Sequence, residues 1–176
     1  MIQLDAIKIE KLVLEDAKSL SDLMVSNTER FNRFFPQTLA QNLSVSDSET
    51  YILLKNEEIR TRSEFTFAIR ENNSASIIGL IILKRLDWEK KIGELAYCID
   101  VKSKGKGWMT KIVKVFSIYA FEKLGLETLQ IIVHKTNIGS LKVAEKCNFK
   151  WQTVLKKEHT PPGEKPLDME LYELNR

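Results

Sequence analysis

The stretch E-L-A-Y-C-I-D-V-K-S-K-G-K-G-W-M-T, Glu94 to Thr110, passes from an apolar strand pattern through two glycines into the start of a helix pattern. A strand that enters a helix through glycines leaves the first backbone N–H groups of that helix without partners. Those donors, with the positive end of the helix dipole, form an anion site. Glycine lets a bulky anion approach the backbone closely, because no Cβ stands in the way. Lys102, Lys104 and Lys106 add positive charge at the same place. A solvated, lysine-rich helix start is the alternative that the turn alone leaves open.

Around this turn the chain has 176 residues, 43% hydrophobic and 29% charged, which suits one soluble globular domain over residues 1–176. The longest apolar run, Ile77 to Leu83, is too short to span a bilayer, and no signal-peptide pattern opens the sequence. Cys98 and Cys147, read as reduced core residues, fit a cytoplasmic protein, and no zinc-ligand spacing links them to His134 or His159. No metal site is expected. The net charge of +3 is spread along the chain, unlike the basic stripe of a nucleic-acid binder.

Upstream, I-K-I-E-K-L-V-L (Ile7–Leu14) alternates as a strand, and Ala17, Leu20, Leu23 and Met24 follow at helical spacing with Asp16 available as a cap. R-F-N-R-F-F-P reads as a short helix or turn, and Ser46 with Glu49 as a capping box that opens a further helix. F-T-F-A-I-R, I-I-G-L-I-I-L and E-L-A-Y-C-I-D then predict an antiparallel meander. Downstream, Met109, Ile112, Val113, Phe116, Ala120 and Leu124 share one face of a helix of about five turns that stops at Gly125. T-L-Q-I-I-V-H predicts a strand covered on both faces, and S-L-K-V-A-E-K-C a helix with Leu141, Ala144 and Cys147 facing inward. Two last strands, F-K-W-Q-T-V-L and D-M-E-L-Y-E-L, flank the loop H-T-P-P-G-E-K-P (159–166). The order βααβββαβαββ predicts an α/β fold: a mixed, mostly antiparallel sheet with helices on its faces.

Three phosphate loops can be set against the turn. The pattern G-x-x-x-x-G-K-[ST] is absent, and G-x-G-x-x-G fails at Thr110. The third, [QR]-x-x-G-x-[GA], is the coenzyme A loop of the GNAT acetyltransferases. Over nearly its whole length the chain resembles that superfamily, within it the RimJ/RimL-like branch of ribosomal-protein acetyltransferases. The stretches that carry the resemblance are L-V-L-E-D-A-K-S-L, G-E-L-A-Y-C-I-D-V-K-S-K-G-K-G-W-M-T, Y-A-F-E-K-L-G-L-E-T-L-Q-I and N-I-G-S-L-K-V-A-E-K-C-N-F. Two departures stand out: Lys104 where Gln or Arg is usual, and Met109 where Gly or Ala is commonest. Lysine still reaches a phosphate, as a point charge without a fork.

The resemblance implies the GNAT fold and acetyl transfer from acetyl-CoA to a primary amine, by direct attack through a tetrahedral intermediate. It places the pyrophosphate on Lys104, Gly105, Lys106, Gly107, Trp108, Met109 and Thr110, and the pantetheine arm on the main chain of Tyr97, Cys98 and Ile99. Asn137 matches a family residue that contacts the pantetheine amide, and is otherwise an ordinary helix cap. Ser140 matches a hydroxyl near the sulfur, and is otherwise first-turn capping chemistry. Glu94 stands where branch members carry a glutamate toward the acceptor, to bind or deprotonate the amine; a solvated strand-end carboxylate is its alternative. His134 is a weaker candidate base, expected to face the helix layer, and Cys147 reads as core rather than nucleophile. Phe34, Phe35, Trp88 and the 159–166 loop are candidates for the acceptor side.

The leading expectation is acetylation of a protein N-terminal α-amine, ribosomal-protein-like. A small amine (polyamine, aminoglycoside or amino acid) is the alternative, and a non-catalytic acyl-CoA sensor is the alternative from another class. A nucleic-acid module, supported only by scattered lysines, ranks last. No membrane or nucleic-acid partner is expected, and a homodimer is, since dimers are common in the branch.

Overall fold

β-Branched and aromatic residues are frequent in the strands Phe65–Glu71 and Thr128–Val133, and the computed structural model describes residues 2–176. It contains β1 (Ile2–Gln3), β2 (Ile7–Lys11), α1 (Ala17–Ser26), α2 (Thr28–Phe34), α3 (Pro36–Ala40), α4 (Val45–Thr61), β3 (Phe65–Glu71), β4 (Ile77–Asp87) and β5 (Ile92–Ile99). There follow α5 (Trp108–Glu122), β6 (Thr128–Val133), α6 (Ile138–Lys146), β7 (Lys150–His159) and β8 (Leu167–Asn175). The eight strands form one mixed, mostly antiparallel sheet in the order β1-β2-β3-β4-β5-β6-β8-β7. No helix among the described residues is long and apolar enough to cross a membrane.

The chain divides into two compact units, one comprising residues up to Ile82 with Tyr97–Lys106, the other Leu83–Ala96 with Gly107–Arg176. In the first, β2 pairs antiparallel with β3 in the register Ile7↔Glu71 to Lys11↔Phe67. Ala17, Leu20, Leu23 and Met24 are buried, as their spacing predicts, and α1 packs on α4, whose Tyr51 and Ile52 are buried. Phe65–Arg70 and Ile77–Leu83 are buried at every position, so β3 and β4 are the strands covered on both faces. Arg70 is buried and is held by Asp16 and Glu10.

Two caps differ from expectation. Asp16 ends a one-turn 3-10 helix and accepts from its own Val13 N–H at 2.9 Å instead of capping α1. Helix α4 starts two residues before the predicted box, capped by Ser44, whose Oγ accepts from Asp47 N at 3.1 Å. Ser44/Asp47 and Ser46/Glu49 are overlapping signals, and the earlier one is used.

In the second unit, β5 and β6 run parallel, paired from Ile92↔Thr128 to Glu94↔Gln130. β6 pairs antiparallel with β8, and β8 with β7. Only one face of β6 is buried, through Leu129, Ile131 and Val133; the other carries Thr128, Gln130 and Ile132, half-buried, with Gln130 donating to Glu173 at 2.8 Å. The expectation of two covered faces fails here because polar Thr and Gln occupy the second face. Helix α5 buries Met109, Ile112, Val113, Phe116 and Ala120, the predicted stripe, each large side chain adding about 1.5–3 kcal/mol. It is 15 residues long, shorter than expected: Gly125, at φ 81°, turns the chain away and Leu126 N–H closes on Ala120 O at 3.2 Å.

Candidate functional site

The turn after β5 is built by local chemistry. Asp100 Oδ1 accepts from Lys102 N at 3.4 Å and starts a 3-10 turn over Val101–Ser103. Gly105 (φ 84°) and Gly107 (φ 75°) then take left-handed conformations, which cost a residue with a Cβ roughly 1–2 kcal/mol. A Cβ added at either would meet no atom within 4 Å, so the requirement for glycine is conformational and the space over the turn is open. Gly107 is the N-cap of α5 and supplies no capping side chain, which leaves the N–H groups of Trp108, Met109 and Thr110 pointing out of the helix. Lys102, Lys104 and Lys106 are exposed beside them, and Lys106 Nζ lies 3.5 Å from Glu71. The turn fits a phosphate-bearing ligand: the N–H groups of a helix start that no side chain caps, a helix dipole, cations and open space over both glycines.

Asn27, which the sequence reading did not single out, fixes the start of this turn. Fully buried, it accepts from Val101 N at 3.1 Å and Arg30 Nη1 at 2.9 Å through Oδ1. Its Nδ2 donates to Asp100 Oδ1 at 3.2 Å and Leu23 O at 3.0 Å. Arg30 also donates to Ile99 O at 3.3 Å. No short-range pattern announces this residue, because its partner Asp100 is 73 positions away.

Tyr97 and Ile99 are half-buried and Cys98 is buried. Burial pushes the Cys98 thiol up to about 12, and the Cys147 thiol is raised for the same reason. Neither supplies thiolate near neutrality, which agrees with the assignment of Cys147 to the core; its Sγ lies against Thr110 O at 3.4 Å, joining the end of α6 to the first turn of α5.

At the other end of the same helix, Asn137 Oδ1 accepts from Ser140 N at 3.3 Å, so Asn137 does cap α6 and Ser140 sits in its first turn, half-buried. His134 is buried, and its Nδ1 is met by Thr136 Oγ1 at 2.7 Å and by Thr136 N–H at 3.3 Å. Nδ1 therefore serves as acceptor, which puts the proton of the neutral ring on Nε2.

Glu94 is not a solvated strand end. It is 6% exposed, on the β5 edge that pairs with Gln130, and its carboxylate meets two cations: Lys84 Nζ at 3.2 Å from Oε1 and Arg85 Nη1 at 3.2 Å from Oε2. The guanidinium contact lacks hydrogen-bond alignment, so Oε2 has no hydrogen bond, while the same Nη1 donates to Glu158 Oε1 at 2.8 Å. Lys84 and Arg85 escaped the sequence reading; the only signal is the abrupt change from an apolar run to Lys-Arg at its end. Phe35 packs edge-on to Phe31 and Arg33 lies over Phe34, both in the first unit, whereas Trp88 lies in the β4–β5 turn of the second. In the 159–166 loop Pro161 is buried and Glu164 N closes a turn on its carbonyl.

The chain as a whole has counterparts among known proteins. The probable N-acetyltransferase YjcK of Bacillus subtilis (strain 168) is 25% identical over 158 residues, 89% of this chain and 87% of that protein. The crystal structure of the ribosomal-protein-S5-alanine acetyltransferase from Vibrio fischeri superposes with a TM-score of 0.91 at 19% identity, covering 99% of this chain and 95% of that one. RimL, a ribosomal L7/L12 alpha-N-protein acetyltransferase solved with coenzyme A, gives 0.88 at 14% identity over 98% and 95%. Residues 7–150, which include the glycine turn and the helix it opens, match the model of the acetyltransferase (GNAT) domain, and the chain belongs to the GNAT family of N-acetyltransferases.

Proposed function

We propose that the whole 176-residue chain acts as one acetyl-CoA-dependent domain that acetylates a protein N-terminal α-amine. One observation carries the cofactor half: two left-handed glycines open an uncapped helix beside three lysines. The family match makes acetyl-CoA the natural anion, and when bound it supplies the activated acetyl thioester. The donors of Gly105–Thr110 hold its pyrophosphate. Main-chain groups of Tyr97, Cys98 and Ile99, beyond the three-pair β5–β6 ladder, hold the pantetheine. Asn137 caps α6 through its oxygen and keeps an amide NH₂ for a cofactor carbonyl. Ser140 offers a hydroxyl for the departing sulfur, which takes up a proton as the new C–N bond forms.

Glu94 receives the acceptor amine. Its carboxylate binds the incoming ammonium and draws off, directly or through water, the proton the nitrogen must lose. An N-terminal α-amine is favoured because two of the structures resembling this chain, the S5-alanine enzyme and RimL, act on ribosomal proteins.

Calorimetry with acetyl-CoA, beside CoA release over a panel of N-terminal peptides and small amines, tests the proposal. Binding that is lost in Gly107→Val, with release for peptides, is the expected result. Binding without release for any acceptor would leave a sensor, and no binding would refute the cradle.

A further inference from the structure

Glu94 is a strange receptor for a cation, because two cations already stand on it. Lys84 and Arg85 each come within 3.2 Å of one carboxylate oxygen, and among the described residues Glu158 is the other acid in this ion-pair cluster. An acceptor ammonium that joined them would be the third cation around a single buried carboxylate, at distances where like charges repel strongly. A polyamine, with further charges of its own, would suffer most. One group can move: the Arg85 side chain is 59% exposed, and its Nη1 already reaches both carboxylates, donating to Glu158 and merely touching Glu94. Glu94 Oε2, buried and without a hydrogen bond, is the position that the guanidinium covers and an ammonium would complete. Arg85 also holds a left-handed backbone (φ 49°), which places this non-glycine residue in a conformation rarely adopted without cause.

We infer that the acceptor carries a carboxylate close to its amine, and that Arg85 is the specificity-determining residue. The amine takes Oε2 of Glu94 while the guanidinium, released from Glu94, pairs with the acceptor's carboxylate. An N-terminus followed by an acidic residue has this chemistry, and so does a free amino acid. The inference rests on the proposed placement of the acceptor at Glu94.

The test uses the full chain and two isosteric pairs: peptides Ser-Glu and Ser-Gln with a common neutral remainder, and free serine against serinamide, with spermidine as a polycation. kcat/KM is measured for each, together with calorimetric binding of the peptides to protein saturated with CoA. Wild type should favour the Glu peptide over the Gln peptide by up to roughly fivefold, the size expected for a partly exposed charge pair, and less in high salt. A matching preference within the amino-acid pair, at higher kcat/KM than the peptides, would identify the free amino acid as the source of that chemistry. The Glu/Gln ratio should fall to near one in Arg85→Gln, invert in Arg85→Glu and survive in Arg85→Lys, with acetyl-CoA affinity reporting that each variant is folded. A wild-type ratio near one in both pairs overturns the inference while leaving the transferase intact; so does a ratio that Arg85→Gln does not change. If acetyl-CoA binds and no acceptor releases CoA, the proposed function fails first and the inference with it.

Discussion

Replacing Asn27 by alanine should damage the cofactor turn from a distance. The side chain makes hydrogen bonds to Val101 N, Asp100 Oδ1, Leu23 O and Arg30 Nη1, at 2.9–3.2 Å. Each is worth about 1 kcal/mol net, and a buried partner left unpaired costs about 1–3 kcal/mol. Val101 is exposed, so water can rescue its N–H; Leu23 O still accepts from Ser26 Oγ at 3.2 Å. The sum is therefore about 2–3 kcal/mol rather than the full count. For a chain of this size, at roughly 2–4 °C per kcal/mol, the melting temperature should drop by about 4–12 °C. The functional readout separates positioning from simple stability. With Asp100 and Val101 no longer tied to α1, the turn that follows loses its fixed start, and KM for acetyl-CoA should rise roughly tenfold well below the melting point. Asn27→Asp keeps the acceptor oxygen but sets a carboxylate against Asp100, and it should weaken binding at least as much. A variant that melts lower yet binds acetyl-CoA with unchanged affinity at 15 °C would show that Asn27 only glues the fold, and the positioning role would be wrong.

Gly79→Ala should be severely destabilising, because its new Cβ would lie 2.3 Å from Cys98 O, a backbone atom that cannot swing aside. Loss of soluble protein or a fall of roughly 3 kcal/mol or more in urea denaturation is expected; a normal denaturation midpoint would mean that β4 and β5 separate easily there. The Cys98 thiol, raised to about 12 by burial, should resist alkylation at pH 8 until the protein unfolds, and fast labelling of the native state would refute its burial. Because its folded value is raised, the stability linked to this thiol is complete below its unfolded range near 8.5 and is lost as pH climbs from there through about 12. Denaturation midpoints of wild type and Cys98→Ala compared at pH 7 and pH 10 measure that slope, which should shrink in the variant.

The legible features are those whose cause lies within a few residues. The phosphate-binding turn needed only two glycines, three lysines and the change of period from strand to helix, all between Glu94 and Phe116. The α5 stripe, the Gly125 stop and the Asn137 cap were likewise readable, because helix periodicity and capping act over one turn. Where two local signals overlapped, at Ser44 and Ser46, the choice fell outside the sequence's reach. The same holds for which strands lie covered on both faces, since that depends on what packs on them: β3 and β4 do, and β6 does not.

What makes Glu94 unusual was hidden for a stronger reason. As a residue type at a strand start it reads as solvated; only the folded chain buries it, and only folding brings Lys84 and Arg85 of β4 onto its oxygens. Asn27 and Asp100 are similarly joined by folding alone, across 73 residues. The sequence by itself determined the elements, the core stripes and the anion-binding turn, because propensity, periodicity and glycine's left-handed backbone are local properties of the chain. The tertiary structure alone decided which charges meet around Glu94 and what anchors the turn, because electrostatic pairing and burial are set by distances in space, which no spacing along the chain encodes.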